Sequence, residues 1–179
     1  MKLGTIYLDG KIVPIVQGIE GKAHSLLDVC KKFEIAQINS ILDLINLSKD
    51  NPILLNNITN ASEELVGFDP IDWAPPIVNP SKILGVAFNN KELMKKAHKD
   101  PGVPNYFLKP PSALQAHEKP IIVDPDWGAV IPEPEICAVI GKRAKHVSEE
   151  EALNYVFGYM IHNDVTSHGL KFQKDSIGI

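Results

Sequence analysis

The sequence predicts a β-rich α+β fold, with a small N-terminal α/β domain over residues 1–75 and a second, β-rich domain over residues 76–179. Two observations predict this division. A hairpin pattern and a helical pattern occupy the first 50 residues, whereas short apolar runs separated by Gly and Pro follow residue 80. Between them, residues 69–81 contain four prolines, a composition typical of a domain boundary.

The N-terminal elements follow from alternation, turn residues and helix caps. Residues 1–17 alternate around an Asp-Gly pair, which predicts a β-hairpin. Residues 25–48 carry apolar side chains at helical spacing, and Ser25 and Ser40 are suitable caps for two successive helical pieces.

The second domain is predicted from short apolar runs. Ser148 and Glu151 form the S-x-x-E pattern that begins a helix, expected to reach residue 157. A helix is also expected over residues 90–99. The predicted strands are residues 82–88, 106–108, 120–123, 136–140 and 158–161.

Charge and cysteine content exclude several classes of protein. The net charge is -4 and the pI is about 5.8, so a nucleic-acid or anionic-membrane partner, which requires a basic face, is not expected. The two cysteines form no CxxC pair or disulfide framework, which favours a reducing, cytoplasmic location. No signal peptide or membrane-spanning run is expected either.

The strongest chemical signal is the segment Pro-Glu-Pro-Glu over residues 132–135. Alternate side chains of an extended segment share a face, so Glu133 and Glu135 point the same way, with Cα atoms roughly 6–7 Å apart. Two carboxylates that close repel each other unless a positive charge lies between them. Oxygen ligands of this kind suit Mg²⁺, Mn²⁺ or Ca²⁺ better than zinc. The alternative is a solvated surface turn, which spacing alone favours.

Asp164 is the third candidate ligand. It follows an apolar strand and begins a polar loop, where functional carboxylates are common, although an Asp at a strand end is usually a turn or cap residue. His162 and His168 flank it and would suit a zinc site as an alternative.

Five blocks of sequence, in order, resemble the fumarylacetoacetate hydrolase family. About 30 residues separate the glutamate pair from the aspartate, as they do in that family. The blocks are Lys82–Val86, Phe107–Ala113, Pro132–Glu135 with Val139–Arg143, Val147–Ala152, and Gly158–Thr166.

The resemblance implies a fold, a metal and a class of substrate. It implies a small variable N-terminal domain followed by part of a mixed β-roll, which in the family continues further, so the domain is expected to be incomplete at its C-terminus. It assigns an ion, Mg²⁺ or Mn²⁺ with Ca²⁺ possible in crystals, to Glu133, Glu135 and Asp164. Family members hydrolyse, decarboxylate, isomerise or hydrate small 2-oxo and β-diketo acids. A homodimer is expected.

Several positions depart from the family. The histidine that helps activate water in hydrolytic members aligns with Leu93 here, and His98, five residues later, replaces it only if this stretch is an irregular lid. An arginine and a glutamine of the family become His168 and Lys171. These departures affect substrate selectivity or activity itself.

Two further residues lie in or beside the matching blocks. Lys109 either binds a substrate carboxylate or stabilises an enolate, or it is a surface lysine after a short strand. Cys137 shares the face of the glutamates by alternation, but a nucleophile requires an adjacent base, so we interpret it as a small lining residue.

The sequence therefore supports three hypotheses. The first is a divalent-metal-dependent enzyme that cleaves a C–C bond in a small 2-oxo or β-diketo acid, with Lys109 and His98 as catalytic candidates. The second is a hydratase, isomerase or decarboxylase of the same family. The third is a non-catalytic partner subunit or fragment.

Overall fold

The structure, a computed structural model, describes residues 1–70, 72–97 and 100–167. It confirms a mixed α/β fold and contains two compact units. The first unit comprises residues 1–43 and 55–119, and the second comprises residues 44–54 and those described from 120 onward. The domain division proposed at residue 75 stays a prediction.

An antiparallel four-stranded sheet forms the centre of the first unit, with strand order β3-β2-β1-β4. The predicted hairpin is confirmed, and its turn is formed by Asp9 and Gly10, both with positive φ. The last strand comes from the proline-rich segment and pairs with the first. The strands are β1 (Leu3–Leu8), β2 (Lys11–Gln17), β3 (Ala23–Ser25) and β4 (Trp73–Ala74).

One face of this sheet is closed by apolar side chains. Ile6, Val13, Ile15 and Ala23 are buried, and Phe68 and Trp73 pack against them. Val13 and Ile15 are alternate residues of β2, and Ile6 is the cross-strand partner of Val13, so these side chains share one face of the sheet. The Pro-rich segment therefore contributes to the N-terminal core through Trp73.

The helices begin where the cap residues predict. The Ser25 hydroxyl accepts from the Asp28 N–H at 3.4 Å, and the Ser40 hydroxyl accepts from the Asp43 N–H at 3.0 Å. The longest helix of the described ranges has nine residues, so none of their helices could cross a membrane. The helices are α1 (Leu26–Lys32), α2 (Ile41–Ser48), α3 (Leu54–Ser62), α4 (Lys91–Ala97) and α5 (Glu149–Ala152).

A second antiparallel pair in the first unit consists of β5 (Ile83–Ala87) and β6 (Asn105–Lys109), with α4 between them in sequence. Gly85 lies opposite Phe107, whose ring occupies the space that a Cβ at Gly85 would fill. A side chain larger than hydrogen at this position would therefore displace the ring.

Two strand pairs form the second unit. β8 (Pro134–Ile140) pairs with β9 (Val156–Asn163), and β7 (Val130–Ile131) pairs with β10 (Thr166–Ser167), both antiparallel. The α5 helix ends at Ala152 and a short 3-10 turn follows, so the helix expected to reach residue 157 is shorter than predicted. The strand predicted over residues 120–123 is wrong, because this described stretch is irregular and ends at the Pro125–Trp127 3-10 turn.

Candidate functional site

The second unit contains a gap in an otherwise in-register pair of strands. The β7–β10 pair ends with Ile131 opposite Thr166, and the β8–β9 pair begins with Pro134 opposite Asn163. Two residues on each strand separate the two pairs, so the register is the same on both sides. The two prolines of the Pro-Glu-Pro segment supply no N–H to the ladder, which explains why pairing stops there.

Two hydrogen bonds connect the strands within this gap, and a third lies within the second strand. The Asp164 N–H donates to the Glu133 carbonyl oxygen at 2.9 Å. The Glu133 N–H donates to Oδ1 of the Asn163 side chain at 3.1 Å. The Asp164 carbonyl oxygen accepts from the Thr166 hydroxyl at 3.4 Å. Glu133 and Asp164 are therefore held beside each other by their backbones.

The carboxylate-bearing residues lie on the less exposed face of the strands. Along β8 the half-buried residues Glu135 and Cys137 alternate with exposed ones, and Glu133 continues this pattern just before the strand. Asp164 is buried, with 5 % of its surface exposed. Since residues opposite each other in an antiparallel pair project to the same side, Asp164 lies on the glutamate face, and so does His162, the partner of Glu135.

Cys137 has the electrostatic environment of a protonated thiol. Burial raises the pKa of this thiol, and the negative charge of Glu135 raises it further. A thiol with a raised pKa is a poor nucleophile at neutral pH. This agrees with the interpretation of Cys137 as a lining residue beside the glutamates.

The donor atoms of Glu133, Glu135 and Asp164 are of the type that binds a hard divalent cation. All three are carboxylates, the donors that a hard divalent cation prefers, and two of them belong to residues joined by a backbone hydrogen bond. Within residues 1–70, 72–97 and 100–167, no three acidic, histidine or cysteine side chains are gathered closely enough to hold an ion. The oxygen donors suit a divalent cation, and the strand register puts the three residues on one face. That their carboxylates converge on one ion stays a prediction.

Of the other predicted site residues, only Lys109 has a described side chain. Lys109 is half-buried at the end of β6, opposite Ile83, in the first unit. His98, His168 and Lys171 lie outside the described residues, and so does the side chain of Leu93, whose backbone belongs to α4. Their roles stay predictions.

Sequence reasoning missed Asn163 and Thr166, whose side chains bond to the backbone of the gap. The available signal was an asparagine immediately before the aspartate, at the end of a strand that faces a proline-interrupted segment. Asparagine is suited to such a place, because its side chain readily forms hydrogen bonds with backbone groups that the strand ladder does not pair.

Comparisons with known proteins agree on one family. The sequence profile of the Fumarylacetoacetate (FAA) hydrolase C-terminal domain matches residues 82–178. The chain is 31 % identical, over 156 residues, to a fumarylacetoacetate hydrolase domain-containing protein 2 homolog from Dictyostelium discoideum, covering 86 % of this chain and 50 % of that protein. It is 27 % identical, over 117 residues, to oxaloacetate tautomerase fahd2, mitochondrial, from Xenopus laevis, covering 65 % and 37 %.

A solved structure shows the same fold. Fumarylacetoacetate hydrolase from the psychrophilic Exiguobacterium antarcticum superimposes with a TM-score of 0.67 at 24 % identity, over 93 % of this chain and 56 % of that one. The chain spans about half the length of the curated relatives it matches. Because the family profile covers more than half of its residues, the chain belongs to the fumarylacetoacetate hydrolase family.

Proposed function

We propose that this chain carries the metal-binding strands of a divalent-metal-dependent enzyme that cleaves a C–C bond in a small 2-oxo or β-diketo acid. The observation that carries the proposal is the backbone pairing of Glu133 with Asp164, with Glu135 on the same face. The backbones of two carboxylate residues distant in sequence therefore lie side by side where the strand pairing is interrupted by prolines.

Each carboxylate has a distinct role in this proposal. Asp164, which is buried, provides a ligand with little access to water, and Glu133 and Glu135 provide two half-buried ligands beside it. Three carboxylates that share one face suit a divalent cation, Mg²⁺ or Mn²⁺. When bound, such an ion supplies a Lewis acid for the keto and carboxylate oxygens of the substrate.

Two residues outside this face complete the proposal. Lys109 is assigned to the substrate carboxylate or to a developing enolate, because a lysine side chain suits both. His98 is assigned to water activation, in place of the histidine that Leu93 replaces. The Lys109 assignment follows from the matching block Phe107–Ala113, and the His98 assignment follows from its position five residues after Leu93.

A tautomerase or related isomerase is the second candidate. The Xenopus laevis relative is named an oxaloacetate tautomerase, and oxaloacetate is a 2-oxo acid. Tautomerisation requires proton transfer and no water attack, so it tolerates leucine at position 93. A hydratase or decarboxylase is a variant of the same proposal.

The assembly and location of the protein are also proposals. A non-catalytic partner subunit is the third candidate. We assign a homodimer and a cytoplasmic location, the latter because both cysteines are free thiols. Light scattering after size-exclusion chromatography would measure the oligomeric state.

The proposed function is tested with a panel of substrates. Acylpyruvates, oxaloacetate and 2-oxo-dienoates are incubated with the chain, with Mg²⁺, with Mn²⁺ and with a chelator, and products of cleavage and of enolisation are monitored separately. Metal-dependent cleavage supports the first candidate, and metal-dependent enolisation without cleavage supports the second. Absence of any metal-dependent turnover would favour the non-catalytic candidate.

A further inference from the structure

Glu133 is fixed by two consecutive residues of the opposite strand. It is the only residue of the segment 132–134 that has an N–H, since both neighbours are prolines. That N–H donates to the Asn163 side chain at 3.1 Å, while the Glu133 carbonyl oxygen accepts from the Asp164 N–H at 2.9 Å. Both hydrogen-bonding groups of the Glu133 backbone are thus held by the last residue of β9 and the residue that follows it.

The side chain of Asn163 substitutes for a backbone partner. In a regular antiparallel pair, two directly opposite residues exchange both of their N–H to carbonyl bonds. Here the Asp164 carbonyl oxygen accepts from the Thr166 hydroxyl, and the Asn163 amide oxygen accepts from the Glu133 N–H. The break in the ladder is therefore supported by side chains.

This arrangement has a consequence for the Glu133 carboxylate. Pro134 confines Glu133 to extended backbone angles, but within that region φ of Glu133 stays soft without a partner for its N–H. Rotation about φ would change the direction of the carboxylate relative to Asp164. Because the segment is exposed, water could replace the Asn163 oxygen at little cost to folding, although it would not fix the direction of the carboxylate.

We propose that Asn163 is a positioning residue of the metal site, and that its amide oxygen sets the orientation in which Glu133 meets the ion. This inference rests on the proposed function, since it concerns the same carboxylates. Residues that orient ligands without touching the metal commonly change metal affinity by about 10–100-fold. For a single exposed hydrogen bond we expect a change of about five- to tenfold.

The test uses three variants of the full chain. Asn163→Ala removes the acceptor. Asn163→Asp keeps an acceptor oxygen in the same place. Asn105→Ala, at an exposed strand end in the first unit, is the matched control. Mn²⁺ affinity is measured by titration, the zero-field splitting of bound Mn²⁺ is measured by electron paramagnetic resonance, and the melting temperature is measured without metal.

The expected results separate positioning from folding. Asn163→Ala should bind Mn²⁺ about five- to tenfold more weakly and alter the zero-field splitting, with an unchanged melting temperature. Asn163→Asp should restore the unmodified spectrum, which its added charge alone would not do. Asn105→Ala should resemble the unmodified chain in all three measurements.

Each contrary result has a definite meaning. An Asn163→Ala variant with unmodified affinity and spectrum, whether or not its melting temperature falls, would overturn the positioning role while leaving the metal site intact. A spectrum that Asn163→Asp fails to restore would also overturn it. If the unmodified chain binds no Mn²⁺, the metal site and the positioning role both fail.

Discussion

The backbone N–H of Asp164 donates to the carbonyl oxygen of Glu133 at 2.9 Å. This bond joins two carboxylate residues that lie far apart in sequence, at a point where prolines interrupt the strand pair. Side chains that are opposite each other in an antiparallel pair lie on one face. The candidate site therefore depends on strand pairing, and its chemistry can be altered without changing the core.

The first prediction concerns Glu135→Gln. The amide has the shape of the carboxylate but no charge, so one proposed ligand is lost while the volume is unchanged. We expect Mn²⁺ affinity to fall by at least tenfold, as measured by isothermal titration. The melting temperature without metal should stay the same or rise slightly, because one of the neighbouring negative charges is removed.

Glu151→Gln provides the control for this prediction. Glu151 is exposed in α5, away from the strand gap but in the same unit. It loses the same charge and should leave Mn²⁺ affinity unchanged. Equal losses in the two variants would mean that net charge, and not a ligand at Glu135, determines binding.

Local signals in the sequence predicted much of the fold. Period-two alternation predicted that Glu133 and Glu135 share a face, and the burial pattern of β8 continues through both positions. Hydroxyl caps predicted the starts of α1 and α2 at Ser25 and Ser40. These features depend on residues within one turn or one strand, so a short window contains the information.

Features that depend on pairing between distant segments were not predictable in this way. The strands β7 and β10 have two residues each and carry no alternation, so only their mutual register defines them. For the same reason the role of Asn163 in the gap could not be foreseen. Conversely, residues 120–123 have the composition of a strand but no partner strand in the described structure, which is why that prediction was wrong.

The second prediction concerns the contact between Gly85 and Phe107. In Gly85→Ala the new methyl group meets the Phe107 ring, and the resulting displacement should lower the free energy of unfolding by about 1–3 kcal/mol. In a Phe107→Leu background, Gly85→Ala should lower the free energy of unfolding by less than it does in the unmodified chain. Urea unfolding of the four proteins measures the interaction energy.

Gly158→Ala is the matched control for Gly85→Ala. Gly158 is also within a strand, but a Cβ added there meets no atom within 4 Å. Its replacement should be neutral or stabilising by roughly 0.5 kcal/mol, since alanine has less freedom in the unfolded chain. A similar loss for both variants would contradict the steric explanation.

The third prediction concerns the apolar face of β8 and β9. Ile136 and Ile161 are cross-strand partners with 77 % and 79 % of their surfaces exposed, and Ile140 and Tyr159 on these strands are also largely exposed. Contiguous exposed apolar surface binds hydrophobic dyes. Ile136→Thr/Ile161→Thr should reduce fluorescence of anilinonaphthalene sulfonate while preserving the β-sheet circular dichroism, because threonine suits strands.

Val66→Thr is the control for this face, since Val66 is fully exposed outside the strands. It should leave dye fluorescence unchanged. Unchanged fluorescence in the double variant would show that the face is covered in solution.

The fourth prediction begins with the buried side chain of His24 in β3. His24 is 4 % exposed, and its Nε2 atom has no hydrogen-bond partner. Gly18 lies against Nε2, and a Cβ at Gly67 would be 3.0 Å from Cε1. The imidazole is thus enclosed by backbone, in a place suited to its neutral form.

This enclosure should make the stability of the chain depend on pH. Burial lowers the pKa of His24 below its ordinary value of 6.5, so the unfolded chain binds a proton more readily than the folded chain does. The free energy of unfolding should therefore be constant above about pH 6.5 and fall as the pH decreases below it. Urea unfolding between pH 7.5 and 5 should show this slope, and His24→Gln should reduce it even if the variant is less stable throughout. His146→Asn alters an exposed histidine and should keep the slope of the unmodified chain. An equal slope in all three proteins would mean that other groups cause the pH dependence of the free energy of unfolding.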